Sequence, residues 1–517
     1  MNGNIIEIFL RNAELHPDRA ALIEAGRTAS YRELRDDMLR VAASLREDGV
    51  RQGDPVLIFV PMSIDLYTLL LGIFHLGAVA VFIDAWADRS RLDAACRMLP
   101  MRAFVGIPKA HLLRLISREI RRIPIKRFAY IGRWHPRSST SPEPAHVPPD
   151  DAALMTFTTG STGAPKAARR SHRFLVAQHQ ALVDGLGASA DDTDMPILPI
   201  FPLSNLALGA TTVIPPVDPR SVESFDPRAV IRTIEDHDVA TTSGSPAFYA
   251  KLAEYCAAHR ITLGLKRVFL GGAPVFPRLA AALAEAFPGV GITIVYGSTE
   301  AEPISTITVP EMLRRASRER RGLPVGRPVE FIDLRIMPIA GGAIAPQSAE
   351  AFEAMALPAG EIGEICVAGE HVLSEYYGDP AAWRINKIEA GGRLWHRTGD
   401  AGYLDQDGEL FLAGRVGQSF IHRGERIFVL PVEERLQGSA AITIGTILQI
   451  RERLVIALEA APGKASGIGQ EIARLGIGFD DLVVLPALPR DPRHHSKIDY
   501  VRLRAMVEAE QRRAAAR

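Results

Sequence analysis

The chain has 517 residues, of which 47% are apolar, more than one hydrophobic core usually holds, so at least two domains are expected. Sixty Lys and Arg balance sixty Asp and Glu, leaving no global field to draw the chain to nucleic acid or to an anionic membrane. A small-molecule partner and no nucleic acid are therefore expected.

The three cysteines, Cys96, Cys256 and Cys366, lie far apart without a Cys-x-x-Cys spacing. This argues against zinc, dithiol redox and disulfide roles and fits a reducing cytoplasm. The start, Met1-Asn2-Gly3-Asn4-Ile5, has neither a basic leader followed by an apolar core nor the Ser/Thr of a myristoylation signal. A cytoplasmic location without export is expected.

In chain order, Tyr31 to Glu47 reads as a helix and Pro55 to Val60 as a strand. Leu66 to Ile83 is nearly all apolar and reaches the lower limit for crossing a bilayer. Gly72, His75 and Gly77 interrupt it, and Ala78 to Ile83 turns to small and β-branched residues. A buried helix handing over to a buried strand is expected, with no stable membrane insertion. Pro136 to Pro149, rich in Pro and Ser, reads as an exposed loop. Pro277 to Phe287 reads as a helix and Ile292 to Tyr296 as a strand. This alternation predicts α/β layers with largely parallel sheets. The run Leu313 to Arg321, with five arginines, could attract phosphates, but alternating charge on a solvated helix face explains it more simply. After Leu410 to Arg415 the texture changes, and strands at Thr443 to Arg451 and Leu454 to Leu458 predict a small α+β unit. The boundary is placed at Arg415, giving domains 1–415 and 416–517.

Between the apolar lead Ala152 to Phe157 and a basic, helix-like segment sits Thr158-Thr159-Gly160-Ser161-Thr162-Gly163-Ala164-Pro165-Lys166. Gly160 and Gly163 allow close backbone approach, so successive N–H groups can converge on anionic oxygens. Four hydroxyls add donors, and Lys166 adds a mobile charge suited to β and γ phosphates. The Walker spacing does not align, so the segment reads as a polyphosphate loop of another kind, with a generic Gly/Ser/Thr turn as the alternative.

Phe157 to Lys166 resembles the signature loop of the adenylate-forming (AMP-binding) superfamily, the acyl-CoA synthetases, luciferases and peptide-synthetase adenylation domains, although Ala167 stands where that family usually has glycine. Three further segments follow in the family's order. The first is Val295-Tyr296-Gly297-Ser298-Thr299-Glu300, after the turn Leu270-Gly271-Gly272-Ala273-Pro274. The resemblance implies that Tyr296 stacks on adenine beside Gly297 and Ser298, Thr299 contacts the α-phosphate and Glu300 holds magnesium, roles that suit an aromatic face and a hard oxygen. The second, His396-Arg397-Thr398-Gly399-Asp400 continuing to Gly414-Arg415, implies ribose contacts from Asp400 and Arg415. In it, Asp405, Asp407 and Gly408 read as a hairpin turn rather than a metal site. The third, Pro489 to Ile498, implies that Lys497 is the catalytic lysine of a small mobile C-terminal domain that rotates about a hinge just past Arg415, where Gly417 stands.

The resemblance thus implies a large α/β N-terminal domain binding ATP and an acid, a small α+β C-terminal domain, and ATP with Mg²⁺ used to make an acyl-adenylate. Ser243, Gly244, Gly271, Gly272 and Ala273 are expected to line the pocket of a hydrophobic acid. Transfer to a thiol, coenzyme A or an acyl carrier protein, is the superfamily's commonest second step. Two departures resemble the β-lactone synthetases of bacterial olefin pathways, which adenylate a 3-hydroxy acid and let its own hydroxyl close the ring. No histidine occurs in Leu198 to Gly209, and Ser496-Lys497 replaces the usual Gly-Lys eight residues after Pro489. A third possibility is a nucleotide-binding scaffold without chemistry, against which Glu300, Asp400 and Lys497 together speak.

Overall fold

The helix Tyr31–Glu47 starts at Ser30, whose hydroxyl accepts from Glu33 N–H while the Glu33 carboxylate accepts from Ser30 N–H. This capping box fixes the helix start, and Leu34, Met38, Val41 and Leu45 then fall on one buried face. Such local rules recur through a computed structural model that describes residues 3–83, 89–130, 132, 134–137, 142–159, 165–218, 224–316, 321–490 and 498–515. The apolar stretch from Leu66 resolves into the helix Ile64–His75, buried on every side, and the strand Val79–Ile83. No helix among the described residues is long and apolar enough to cross a membrane.

Two sheets carry the large α/β domain. One has seven strands in the order Glu375–Tyr377, Pro165–Ser171, Ala152–Thr159, Val79–Ile83, Pro55–Phe59, Ala103–Gly106 and Ile125–Phe128. Its last five strands run parallel. The other sheet has a parallel core of Gly291–Ser298, Arg267–Leu270, Thr241–Gly244, Thr193–Pro196 and Thr211–Val213. It continues through the antiparallel strands Ala301–Thr308, Leu323–Pro328, Leu410–Arg415 and Arg393–Leu404. Beyond the short 3₁₀ turn Val416–Gln418 lies a small α+β domain, in which Ile442–Ile450, Arg453–Ala460 and Asp481–Val484 form a three-stranded sheet. Helices Val429–Gln437, Ile468–Arg474 and Tyr500–Ala515 accompany it.

One local expectation is corrected. The basic segment after the phosphate loop is the strand Pro165–Ser171, paired antiparallel with Ala152–Thr159 so that Thr158 faces Lys166. Its charges suggested a helix, but ladder pairing with a buried neighbour outweighs local propensity. The helix begins only at His172, where the Ser171 hydroxyl accepts from Phe174 N–H. The arginine run also does more than face solvent. Arg315 bonds Glu409 at 2.5 Å and Asp407 at 3.4 Å, tying the helix Val309–Ala316 to the hairpin turn. That turn is shaped by the Asp405 carboxylate accepting from Asp407 and Glu409 N–H, as expected of a hairpin.

Candidate active site

The parallel strands of the larger sheet end together. Ser243 pairs with Phe269 and Pro196, Gly244 with Leu270, and Leu270 with Ile294. Ligands of α/β proteins bind at this edge, where loops leave the carboxyl ends of parallel strands. Gly271 N–H donates to Gly244 O at 3.1 Å, which brings two of the expected acid-pocket segments into contact. Gly272 has φ +84°, open to glycine at little cost, and Ala273 follows in the same turn. Ser243 is 3% exposed and its hydroxyl has no hydrogen-bond partner among the described residues, leaving a buried polar atom free to meet a ligand.

Tyr296 closes the next strand, nearly buried, with its hydroxyl donating to Asp400 Oδ2 at 2.9 Å. Burial and the Asp400 charge hold that phenol neutral by raising its pKa. Asp400 reaches the site from the hairpin Arg393–Leu404/Leu410–Arg415, directly opposite Arg415, whose guanidinium donates to Asp400 Oδ1 at 2.7 Å and to Thr398 O at 3.3 Å. A carboxylate offers about four acceptor sites, so two remain for the hydroxyls of a ribose. Gly297 leaves no room for a side chain, since a Cβ there would stand 2.9 Å from Ala301 O. The tight turn this permits carries Ser298, whose hydroxyl accepts from Glu300 N–H at 3.2 Å.

Glu300 is held from the second sheet. Tyr376, in the edge strand Glu375–Tyr377, donates to Glu300 Oε1 at 3.2 Å, and Leu373 N–H donates to Glu300 O at 2.6 Å. The other carboxylate oxygen of Glu300 has no protein partner among the described residues, which fits a magnesium ion that takes one carboxylate and draws its remaining ligands from phosphate and water. Three cations surround this point. Lys166 lies 5.7 Å and Lys387 5.9 Å from the centre of the Tyr376 ring. The buried Arg170 donates to Thr299 O at 3.2 Å and to Thr156 Oγ1 at 3.2 Å, stitching the turn after Tyr296 to the strand that leads into the phosphate loop. Burial pushes the Lys387 ammonium down to about 7, against the pull of Glu300.

The fold therefore brings Tyr296, Gly297, Ser298, Thr299, Glu300, Asp400, Arg415 and Lys166 to one place, with Ser243, Gly244, Gly271, Gly272 and Ala273 along the edge of the same sheet. Gly160, Ser161, Thr162, Gly163 and Lys497 lie outside the described residues. So do the side chains of Thr158 and Thr159, whose backbone ends the strand Ala152–Thr159. Arg397, inside the His396–Asp400 motif, turns away from the site and pairs with buried Glu364 at 2.5 Å. Tyr376, Lys387 and Arg170 escaped the sequence reading. Each stands outside a motif in its own segment, and only the meeting of the two sheets places them around Glu300.

A phenol, a carboxylate paired with a guanidinium and a second carboxylate amid cations thus meet at the edge of a parallel sheet, a composition that suits a nucleotide-using enzyme. The chain belongs to the AMP-binding enzyme family, whose pattern matches residues 9–377. It is 31% identical over 515 residues to an olefin β-lactone synthetase of Stenotrophomonas maltophilia, covering 93% of this chain and 92% of that protein. It is 30% identical to an olefin β-lactone synthetase of Xanthomonas campestris, covering 98% of each. Among solved structures, it shares its fold with an amide bond synthetase of Marinactinospora thermotolerans, at a TM-score of 0.81 and 23% identity over 97% of this chain and 99% of that one. The general chemistry of the family, formation of an acyl-adenylate, is that of this chain.

Proposed function

We infer that the protein activates a hydrophobic 3-hydroxy acid as its acyl-adenylate and then closes it to a β-lactone. The observation that carries the first half is the Tyr296–Asp400–Arg415 and Glu300–Tyr376 arrangement, which gathers side chains suited to a base, a ribose and a metal ion at one sheet edge. The near full-length likeness to two olefin β-lactone synthetases, with the lack of a histidine in Leu198 to Gly209, supports the second half over the thiol acceptor favoured by the sequence alone.

In the first step a carboxylate oxygen of the acid attacks the α-phosphorus of ATP and pyrophosphate leaves. Tyr296 packs the adenine, Asp400 and Arg415 hold the ribose, and Thr299 stands at the α-phosphate. Lys166 and the loop from Thr158 to Gly163 hold the leaving phosphates, and Lys497 offsets charge gathering between carboxylate and phosphorus. Magnesium, when bound at Glu300, draws negative charge off the phosphate oxygens. In the second step the 3-hydroxyl oxygen attacks the acyl carbon, the bond to AMP breaks, and the hydroxyl proton is released. The nucleophile is already tethered to its target, an arrangement with a very high effective molarity. Coenzyme A or a carrier protein would instead supply an external sulfur.

The acceptor is decided by AMP release with a long 3-hydroxy acid. Rapid release without any thiol, with a product lighter than the acid by one water, is expected. Slow release that rises on adding coenzyme A or an acyl carrier would assign the thiol acceptor instead. Lys497→Ala should suppress pyrophosphate exchange by roughly 10²-fold or more while leaving ATP binding near the native level.

A further inference from the structure

The whole-chain charge balance conceals one strongly cationic segment. Residues 109–127 hold Lys109, Arg114, Arg118, Arg121, Arg122, Lys126 and Arg127 against the single carboxylate of Glu119. Asp48 neutralises Arg127 at 2.5 Å and Glu119 lies 3.4 Å from Arg122, but Lys109, Arg114 and Arg118 form no ion pair among the described residues.

The same segment exposes apolar side chains where a helix normally buries them. Across the 3₁₀ turn Ala110–Leu112 and the helix Leu113–Ile116, Leu112, Leu115 and Ile116 stand at i, i+3 and i+4. They are 60%, 74% and 52% exposed, while Ala110 and Leu113 pack against the core. Phe128, 50% exposed, extends the surface, because its ring lies 4.2 Å from His111. His111 is itself fastened to Arg127 O at 3.1 Å. An outward apolar stripe rimmed by cations suits the boundary between headgroups and acyl chains of a bilayer, with the side chains partitioning inward and the arginines meeting lipid phosphates.

The patch also lies at the phosphate-loop end of its own sheet. The turn at 107–116 leaves the carboxyl end of Ala103–Gly106, the same end of the sheet from which the phosphate loop leaves Ala152–Thr159. Three strand spacings separate the two, about 15 Å. We propose that Leu112, Leu115, Ile116 and Phe128, rimmed by Lys109, Arg114 and Arg118, form a docking surface for an anionic lipid bilayer. The protein would lie on the leaflet without crossing it.

Flotation with phosphatidylcholine vesicles containing about 30% phosphatidylglycerol tests this, since each cation near an anionic leaflet strengthens partition by roughly fivefold. The wild-type chain should float with these vesicles at least about tenfold more than with pure phosphatidylcholine, and less at high salt. The triple variant Leu112→Ser/Leu115→Ser/Ile116→Ser and the double variant Arg114→Glu/Arg118→Glu should each lose that binding. Both should keep the native unfolding midpoint and pyrophosphate exchange with a short soluble acid, because the altered side chains are outside the site and exposed. Wild-type protein that stays with the vesicle-free fraction, or binding that both variants retain, would overturn the proposal. Self-association abolished by the triple variant, without flotation of the wild type, would assign the patch to protein contact instead. The readout does not depend on the acceptor chemistry, so either reading can fail alone.

Discussion

Lys387 brings a charge into a place where charge is costly. It is 3% exposed, its ammonium donates to Leu373 O, and it lies beside the Tyr376 ring. Tyr376 bonds the Glu300 carboxylate and Leu373 N–H the Glu300 backbone carbonyl, so this lysine braces the side chain and the backbone of Glu300 together. Lys387→Met retains most of the volume and removes the charge. The magnesium concentration for half-maximal acyl-AMP formation should then rise roughly 10- to 100-fold, as when an outer-shell partner of a metal ligand is lost. The KM for the acid should stay near the native value, and an unchanged magnesium dependence would reduce Lys387 to a packing role. Tyr296, Glu300, Asp400 and Arg415 stand out in the sequence because each lies in a short run that resembles a family motif. Lys387 lies in no such run.

At the scale of elements, two buried polar nodes hold strands and helices in register. Arg397 and Glu364 are each 5% exposed at the side chain, bonded across adjacent strands, and Arg397 also donates to Ala340 O, Gly342 O and Ile385 O. Arg397→Met strands a buried carboxylate and should cost roughly 3–5 kcal/mol in chemical unfolding. Adding Glu364→Met should recover much of that loss; a double variant no more stable than the single would deny that the unpaired charge is the cause. In the small domain, Tyr500 joins Glu433 to Thr446, with the hydroxyls of Tyr500 and Thr446 2.8 Å apart. Burial pushes Glu433 up to about 7, above its ordinary value of 4.5. The folded state therefore binds this proton more tightly than the unfolded chain, so the stability it contributes is complete below about pH 4.5 and is lost as pH rises through 7. Glu433→Gln should match the wild type in thermal midpoint near pH 4.5 and exceed it at pH 8. A midpoint difference that does not change with pH would remove Glu433 from this role.

The whole molecule depends on how its parts meet. A rotation just past Arg415 is proposed to separate adenylation from the second step, and Gly417 lies there in the turn Val416–Gln418 with open space around the position of a Cβ. Gly417→Val should fold normally and keep pyrophosphate exchange near native, while narrower backbone freedom slows AMP release by about tenfold. Equal rates of AMP release would place the pivot elsewhere. By itself the sequence determined the α/β alternation, the helix Tyr31–Glu47, the small α+β unit and the family motifs, because caps, periodicity and tight turns act over a few residues. Tertiary structure decided what depends on distant partners. Pro165–Ser171 became a strand because Ala152–Thr159 lay ready to pair with it, and Arg315 left solvent for the carboxylates of a hairpin some ninety residues away. Lys387, Tyr376 and Arg170 converge on the turn at Thr299 and Glu300 only where two sheets close on each other, an arrangement set by long-range packing that no local pattern encodes.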